Sequence, residues 1–303
     1  MRIISLIASS TEIVHALGLG EQMVGRSHEC DYPESVRALP VCTEPKFQLD
    51  GTSYEIDQRV KAILQDSLGV YRVFADRLEA LQPDVIITQT QCDVCAVSLR
   101  DVEEAVCQLV SSRPTIIALE PNSLADVWRD IYKVAEGLNV PERGKSLVND
   151  LQSRMQAIAG RTELLVNRPS VACIEWIEPL MAGGNWMPTL IEMAGGSNLF
   201  GKADQHSPWM AWEELVSADP DIIIISLCGW DIERGRQEMP ALIDRSEWDQ
   251  LKAVKNGRVY LTDGNQYFNR PGPRIVESLE ILVECFHPDL FNFGHEGIGW
   301  VTF

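Results

Sequence analysis

One pattern occurs twice in this chain, and it constrains the fold more than any other feature. Leu78-Glu79-Ala80-Leu81-Gln82-Pro83-Asp84-Val85-Ile86-Ile87-Thr88 reads as a helix end, a Pro-Asp turn and an apolar run, and Glu214-Leu215-Val216-Ser217-Ala218-Asp219-Pro220-Asp221-Ile222-Ile223-Ile224 repeats the design. A β-branched run without polar alternation belongs to a strand buried on both faces. With helical patterns before and after each run, the rhythm is that of a parallel sheet. Two copies far apart predict two similar lobes of α/β class, each with its own sheet. At 303 residues the chain is long enough to bury two medium cores.

The remaining segments fit that plan. Ile3 to Ile7 is an expected opening strand, and Ser9 with Glu12 fits a capping box for a helix facing inward with Ile13, Val14 and Leu17. Gly18 and Gly20 are placed to stop it. A short strand is expected around Met23-Val24-Gly25, and residues 46–72 read as an inserted loop and helix. Ser123 can cap a helix reaching Ala135, and Pro141 can open another, on which Leu147, Leu151, Met155 and Ile158 form one apolar stripe. No Gly/Ser-rich linker separates the halves, so a long helix is expected to join the lobes and limit hinge motion. After Asn167-Arg168-Pro169 strands and helices alternate again, and residues past Pro288 read as an irregular tail. The expected division is an N-terminal lobe over 1–122, connecting helices over 123–166 and a C-terminal lobe over 167–303.

A net charge of −18 argues against nucleic acid and anionic membrane as partners, since both would repel such a surface. No run of about 18 apolar residues predicts a membrane span. Met1-Arg2 leads into only five apolar-patterned residues before polar Ser9-Ser10-Thr11-Glu12, too few for a secretory signal. A cytoplasmic address is therefore expected, or a periplasmic or extracytoplasmic one if the start is truncated.

Ligands of parallel α/β sheets gather at the C-terminal strand ends. The segments that follow the expected strands are 27–31, 89–95 and 120–122 in the first half and 175–186, 228–231 and 263–270 in the second. Eight cysteines in so long a chain do not make a disulfide scaffold. Cys107, Cys173 and Cys285 lie in apolar stretches and are expected to be buried, whereas Cys30, Cys42, Cys92, Cys95 and Cys228 adjoin polar loops. Cys92-Asp93-Val94-Cys95 is a CxxC, which grips a soft metal ion or forms a redox pair, and His28 and Cys30 would complete a metal set if the loops meet. Ordinary loop packing is the competing account of all four.

Flat apolar faces suit a large planar ligand, and Trp176, Trp186, Trp209, Trp212, Trp230, Tyr267 and Phe268 crowd the second half near loops. Core packing explains any single one of them equally well. Trp186 and Trp230 stand apart because Gly183-Gly184-Asn185 and Cys228-Gly229 surround them with turn formers. Arg270 is placed to meet an amide or carboxylate rim, and Glu175 opens its strand-end segment. Arg274 is expected to cap or pair on the helix that follows. No GxSxG elbow, P-loop or HExxH is present, and no spacing isolates an acid/base pair, so no catalytic residue is expected.

With those residues in hand, the chain resembles the helical-backbone metal-receptor family, the substrate-binding proteins of ABC importers for cobalamin, iron-siderophore and haem. Ile4-Ser5-Leu6 with Ser10-Thr11-Glu12-Ile13 resembles the opening of its vitamin B12-binding branch, and Leu81-Gln82-Pro83-Asp84-Val85-Ile86 resembles a segment further on. Trp209 with Glu213, Asp219-Pro220, Leu261-Thr262-Asp263 and Pro273-Arg274 match in order. The segments from Ser27 to Pro33 and from Gln91 to Ser98 resemble a cobalamin-binding subgroup that begins directly at the first strand.

The resemblance implies two lobes joined by a long helix, a ligand cleft between them, and a corrin held by aromatics and an arginine, here Trp186, Tyr267, Phe268 and Arg270. It also implies carboxylates that dock an ABC permease, falling at Asp76 and Glu213. The function expected first is non-catalytic binding of cobalamin or another corrinoid. Two rivals remain: a binder of a bare transition metal ion or small chelate through His28, Cys30, Cys92 and Cys95, and a thiol-redox or chelatase-type enzyme.

Overall fold

The computed structural model describes residues 1–65, 70–90, 102–106 and 111–303. The chain forms two compact units. The first takes Met1–Gly51, Glu55–Pro121 and Ala125–Asp150, and the second takes Thr52–Tyr54, Asn122–Leu124 and Leu151–Phe303.

Each unit has its own sheet. In the first, β1 (Ile3–Ser5), β2 (Met23–Arg26), β5 (Val85–Gln89) and β6 (Thr115–Leu119) are parallel in the order β2-β1-β5-β6. β3 (Thr43–Pro45) and β4 (Tyr71–Val73) form a small antiparallel pair. In the second, β7 (Ser170–Trp176), β10 (Ile222–Ile225) and β11 (Val259–Thr262) make the parallel centre. Around it lie β8 (Met181–Ala182), β9 (Ser197–Asn198) and β12 (Trp300–Thr302). Ile4, Ile86 and Leu78 centre the first core, and Ile223, Leu261 and Trp248 the second.

The repeated pattern folds the same way both times. The Ala75–Leu81 helix ends at Gln82 with φ 42 and ψ 61, and the Trp212–Ala218 helix ends at Asp219 with φ 43 and ψ 64. A left-handed residue stops each helix, and the following proline cannot continue it. The aspartate after each proline then grips a neighbouring chain. Asp84 accepts the Arg2 N–H at 2.7 Å beside β1, and Asp221 accepts the Ser170 N–H and hydroxyl, both at 2.8 Å, at the start of β7. β5 and β10 are buried along their whole length, as their unalternating composition requires.

Helices cover Leu124–Gly137 and Pro141–Thr162, the second opening on its proline. Leu151, Met155 and Ile158 of the stripe are buried. The inserted stretch supplies the Ser53–Gln65 helix.

Three local expectations are corrected. The first helix begins at Ala8, so Ser9 and Glu12 lie inside it, and the capping position falls on Ile7 with no side-chain bond. The Ser5 hydroxyl ties the turn out of β1 to the helix through side chains, 2.6 Å from that of Ser10 and accepting from Thr11 at 2.8 Å, and donates to the Ile7 carbonyl at 2.9 Å. Cys30 and Cys42 are buried rather than loop-exposed, and burial pushes the Cys42 thiol up to about 11. The stretch after Pro288 is not irregular throughout, because Trp300–Thr302 pairs antiparallel with β11. A three-residue strand leaves no local period to read, and only its partner stabilises it.

Candidate functional site

The second unit gathers its loops at the C-terminal ends of β7, β10 and β11, and backbone bonds stitch them together. The Cys228 N–H donates to the Glu175 carbonyl at 3.1 Å, and the Asn265 N–H donates to the Trp230 carbonyl at 3.0 Å. The approach is close enough that a Cβ on Gly264 would stand 2.1 Å from the Leu227 carbonyl oxygen, so only glycine fits there.

Of the six expected ligand contacts of this half, five lie in the segments that follow these strands and Glu175 lies near the end of β7 itself, and they divide by exposure. Trp186 is 6% exposed and its indole N–H donates to the Phe268 carbonyl at 3.0 Å; Phe268 itself is 1% exposed. Both rings are closed off from solvent. Trp230 and Tyr267 are half-buried. Trp176 packs on Trp230 with ring centres 4.9 Å apart, and the Arg234 guanidinium lies 4.0 Å from the Trp230 ring. Tyr267 sits in a π-type turn, Gly264–Phe268, whose Gln266 N–H donates to the Asp263 carboxylate at 2.7 Å. Arg270 is almost fully buried, and its guanidinium donates to the Asn265 side-chain oxygen at 3.0 Å.

Glu175 is buried at the end of β7 and accepts the Ser207 hydroxyl. Burial pushes its carboxyl up to about 7, against the pull of that hydroxyl and of His206. At neutral pH it is therefore a proton donor as much as an acceptor, which suits an amide-bearing ligand edge. Arg274 stands at the N-cap of the following helix, its carbonyl accepting the Ser278 N–H at 3.2 Å, with no side-chain cap bond. Its guanidinium instead donates to the Gln266 side-chain oxygen at 2.9 Å and lies 5.3 Å from the Tyr267 ring.

Sequence reasoning missed Arg234, Ser207, Asn265 and His295. Arg234 had a signal, being four residues after Trp230 at the start of a helix whose N-cap is Asp231. Asn265 lay in the singled-out 263–270 segment, five residues before its partner Arg270, whereas Ser207 and His295 had no signal, since their partners are distant in the chain.

In the first unit His28 and Cys30 follow β2. The His28 Nδ1 lies 2.8 Å from the Thr43 hydroxyl, and its ring packs on Tyr71 at 5.2 Å. Burial lowers its pKa to about 4, with Arg26 adding to the effect and Glu44 opposing it. The Cys30 sulfur accepts the Thr11 hydroxyl at 3.0 Å. Cys92 and Cys95 lie outside the described residues. Among the described residues no three His, Cys, Asp or Glu side chains stand together as a metal would need. Asp76 and Glu213 are exposed, each in the first turn of one of the two matched helices.

Two parallel-sheet units with strand-end loops of this kind define a ligand-binding protein, and the comparisons agree. Residues 3–266 match the periplasmic binding protein family, and the chain belongs to that family. It is 23% identical over 299 residues to the uncharacterized ABC transporter substrate-binding lipoprotein YvrC of Bacillus subtilis (strain 168), covering 96% of this chain and 81% of that one. It is 25% identical over 287 residues to the vitamin B12-binding protein of Photorhabdus laumondii, covering 94% and 87%. Its fold superposes on the apo periplasmic heme-binding protein RhuT from Roseiflexus sp. RS-1 with a TM-score of 0.69 at 21% identity, covering 95% and 98%. The chain is thus a substrate-binding protein of the ABC-importer type and not an enzyme.

That result corrects the expected cytoplasmic address. The family is periplasmic and one relative is a lipoprotein, so its members work outside the cytoplasm. The expectation rested on the opening residues, which the fold spends on the buried strand β1. Among the described residues no helix is long and apolar enough to cross a membrane.

Proposed function

We propose that this protein carries a metal-bearing flat macrocycle, a corrinoid in the first instance, to an ABC permease. The observation that supports this most is the gathering of aromatics on the strand-end loops of the second unit, half-buried Trp230 and Tyr267 together with buried Trp186 and Phe268, with Arg270 and Glu175 as polar groups of the same loops. Stacking on aromatic rings takes a planar ring of any substitution, and the arginine and carboxyl choose among rim groups. The B12-binding relatives align over almost the whole chain and favour a corrin. The heme-binding neighbour shares the fold and makes haem the second candidate. Asp76 and Glu213 are the proposed permease contacts, each exposed at the start of its helix.

The deciding experiment titrates the purified protein with cyanocobalamin and with hemin, followed by absorbance and calorimetry. Saturable binding of cyanocobalamin at one site is expected. Binding of hemin alone would move the assignment to haem, and binding of neither would sink the macrocycle reading. Metal analysis of protein purified without chelator runs beside it, because stoichiometric zinc, iron or cobalt lost in Cys92→Ser would favour the bare-ion reading through His28, Cys30, Cys92 and Cys95.

A further inference from the structure

Two buried carboxylates hold the C-terminal tail against the aromatic loops. Glu280 and Glu284 lie one turn apart on the Ile275–Phe286 helix. Glu284 accepts the N–H of Phe293, the N–H of Gly294 at 2.8 Å and the Trp300 indole N–H at 2.7 Å. Glu280 lies 2.9 Å from the His295 Nε2 and accepts from Arg154 at 2.8 Å. Burying two carboxylates costs stability that apolar residues would not, and the tail's donors offset that cost only with the tail in this one place.

The tail also walls Tyr267. A Cβ on Gly299 would stand 3.4 Å from the Tyr267 ring, and the His295 ring meets Tyr267 edge-on, 6.0 Å between centres at 69°. Glu284 grips the backbone of the tail without help from the His295 side chain, and β12 pairs through backbone alone. What the imidazole adds is its bond to Glu280 and its contact with Tyr267.

We propose that His295 is a positioning residue of the ligand platform, holding the Tyr267 ring from the tail side for a flat ligand. The proposal rests on the reading of the aromatic loops as that platform. The charged groups facing His295 are Glu277, Glu280 and Glu284 on the helix, Arg154 on the Pro141–Thr162 helix and Arg274 beside Tyr267. The Glu280 carboxylate, first among them, keeps the imidazole protonated to higher pH than usual.

The test uses full-length protein labelled with ring-13C tyrosine, the Tyr267 signal being identified by its loss in Tyr267→Phe. NMR follows that signal from about pH 5 to 9, the range over which imidazoles titrate, alone and with cyanocobalamin or hemin. In the ligand-free protein the Tyr267 signal should move with the ionisation of His295, and His295→Gln should abolish the movement while leaving the melting temperature near wild type. Affinity for whichever probe binds should fall about three- to tenfold in that variant, the scale of an aromatic contact. If His295→Gln does not fold, Glu280→Gln keeps an acceptor for His295 and removes the charge. A Tyr267 signal indifferent to His295 overturns the proposal whether or not a probe binds, and so does unchanged affinity in a folded variant. Coupling without binding of either probe supports the hold on Tyr267 and removes only the macrocycle.

Discussion

Glu175 ends a strand whose neighbours Val171, Ala172, Cys173 and Ile174 are all buried and apolar, and it is the one carboxyl among them. Its pKa stands at about 7 against an ordinary 4.5, chiefly through burial. The folded state thus binds the proton more tightly than the unfolded state. The stability this contributes is complete below about pH 4.5 and is lost as pH rises through about 7. Glu175→Gln should flatten that decline, so urea midpoints at pH 5 and pH 8 should converge in the variant and differ in the wild type. The two tryptophans separate by a different test. Trp186→Ala removes a buried ring and its bond to Phe268, and should cost about 3–5 kcal/mol in urea unfolding. Trp230→Ala should cost far less stability and weaken the bound probe by about tenfold. Composition placed both rings near loops. Nothing in the sequence told the buried ring from the half-buried one, because that depends on which distant carbonyl the indole reaches.

At the scale of elements the twice-used helix–proline–aspartate–strand unit was legible, since helix stop, turn and strand are all local. Its purpose was not, because Arg2 and Ser170 are far from the aspartates that hold them. The grip has a pH signature. Burial alone would raise the Asp221 carboxyl, but the Lys252 ammonium and the Ser170 donors outweigh it and hold it at about 2 rather than 3.8. A depressed carboxylate gives stability that is present above the unfolded pKa and lost as pH falls through the folded one. Stability should therefore drop between about pH 4 and 2, and Asp221→Asn should remove that part of the slope in acid unfolding followed by circular dichroism. The Ile232–Glu238 helix offers a second check. Its N-cap Asp231 accepts the Arg234 N–H at 2.8 Å, and the same Arg234 lies on Trp230. Asp231→Ala should cost about 1 kcal/mol in urea unfolding, and Asp231→Ser should restore most of it. The tail was the least legible element, since its one strand is three residues long and its anchors are carboxylates on another helix.

For the molecule as a whole, the sequence carried the fold class and the family, because pattern and order survive at low identity. It misread the address, since the first strand of a sheet looks the same wherever the protein works. If Asp76 and Glu213 meet a permease, reversing both to lysine should leave probe affinity unchanged and abolish ligand delivery to vesicles bearing the transporter. A surface carboxylate that is one partner of a docking pair affects encounter and register more than the ligand site.

The last crossing of the chain from one unit to the other falls between Asp150 and Leu151, inside a helix of 22 residues. That placement governs how such proteins can be recombined. A chimera that took one unit from each of two relatives would need to inherit the Pro141–Thr162 helix intact from a single parent. Leu151, Met155 and Ile158 bury themselves with the second unit, so the junction belongs before Pro141. The strand-end loops of the second unit carry a restriction of their own, since they bond to one another. Exchange of ligand preference between relatives is therefore expected to need those loops moved as a set, on an inherited frame that is never cut at its middle.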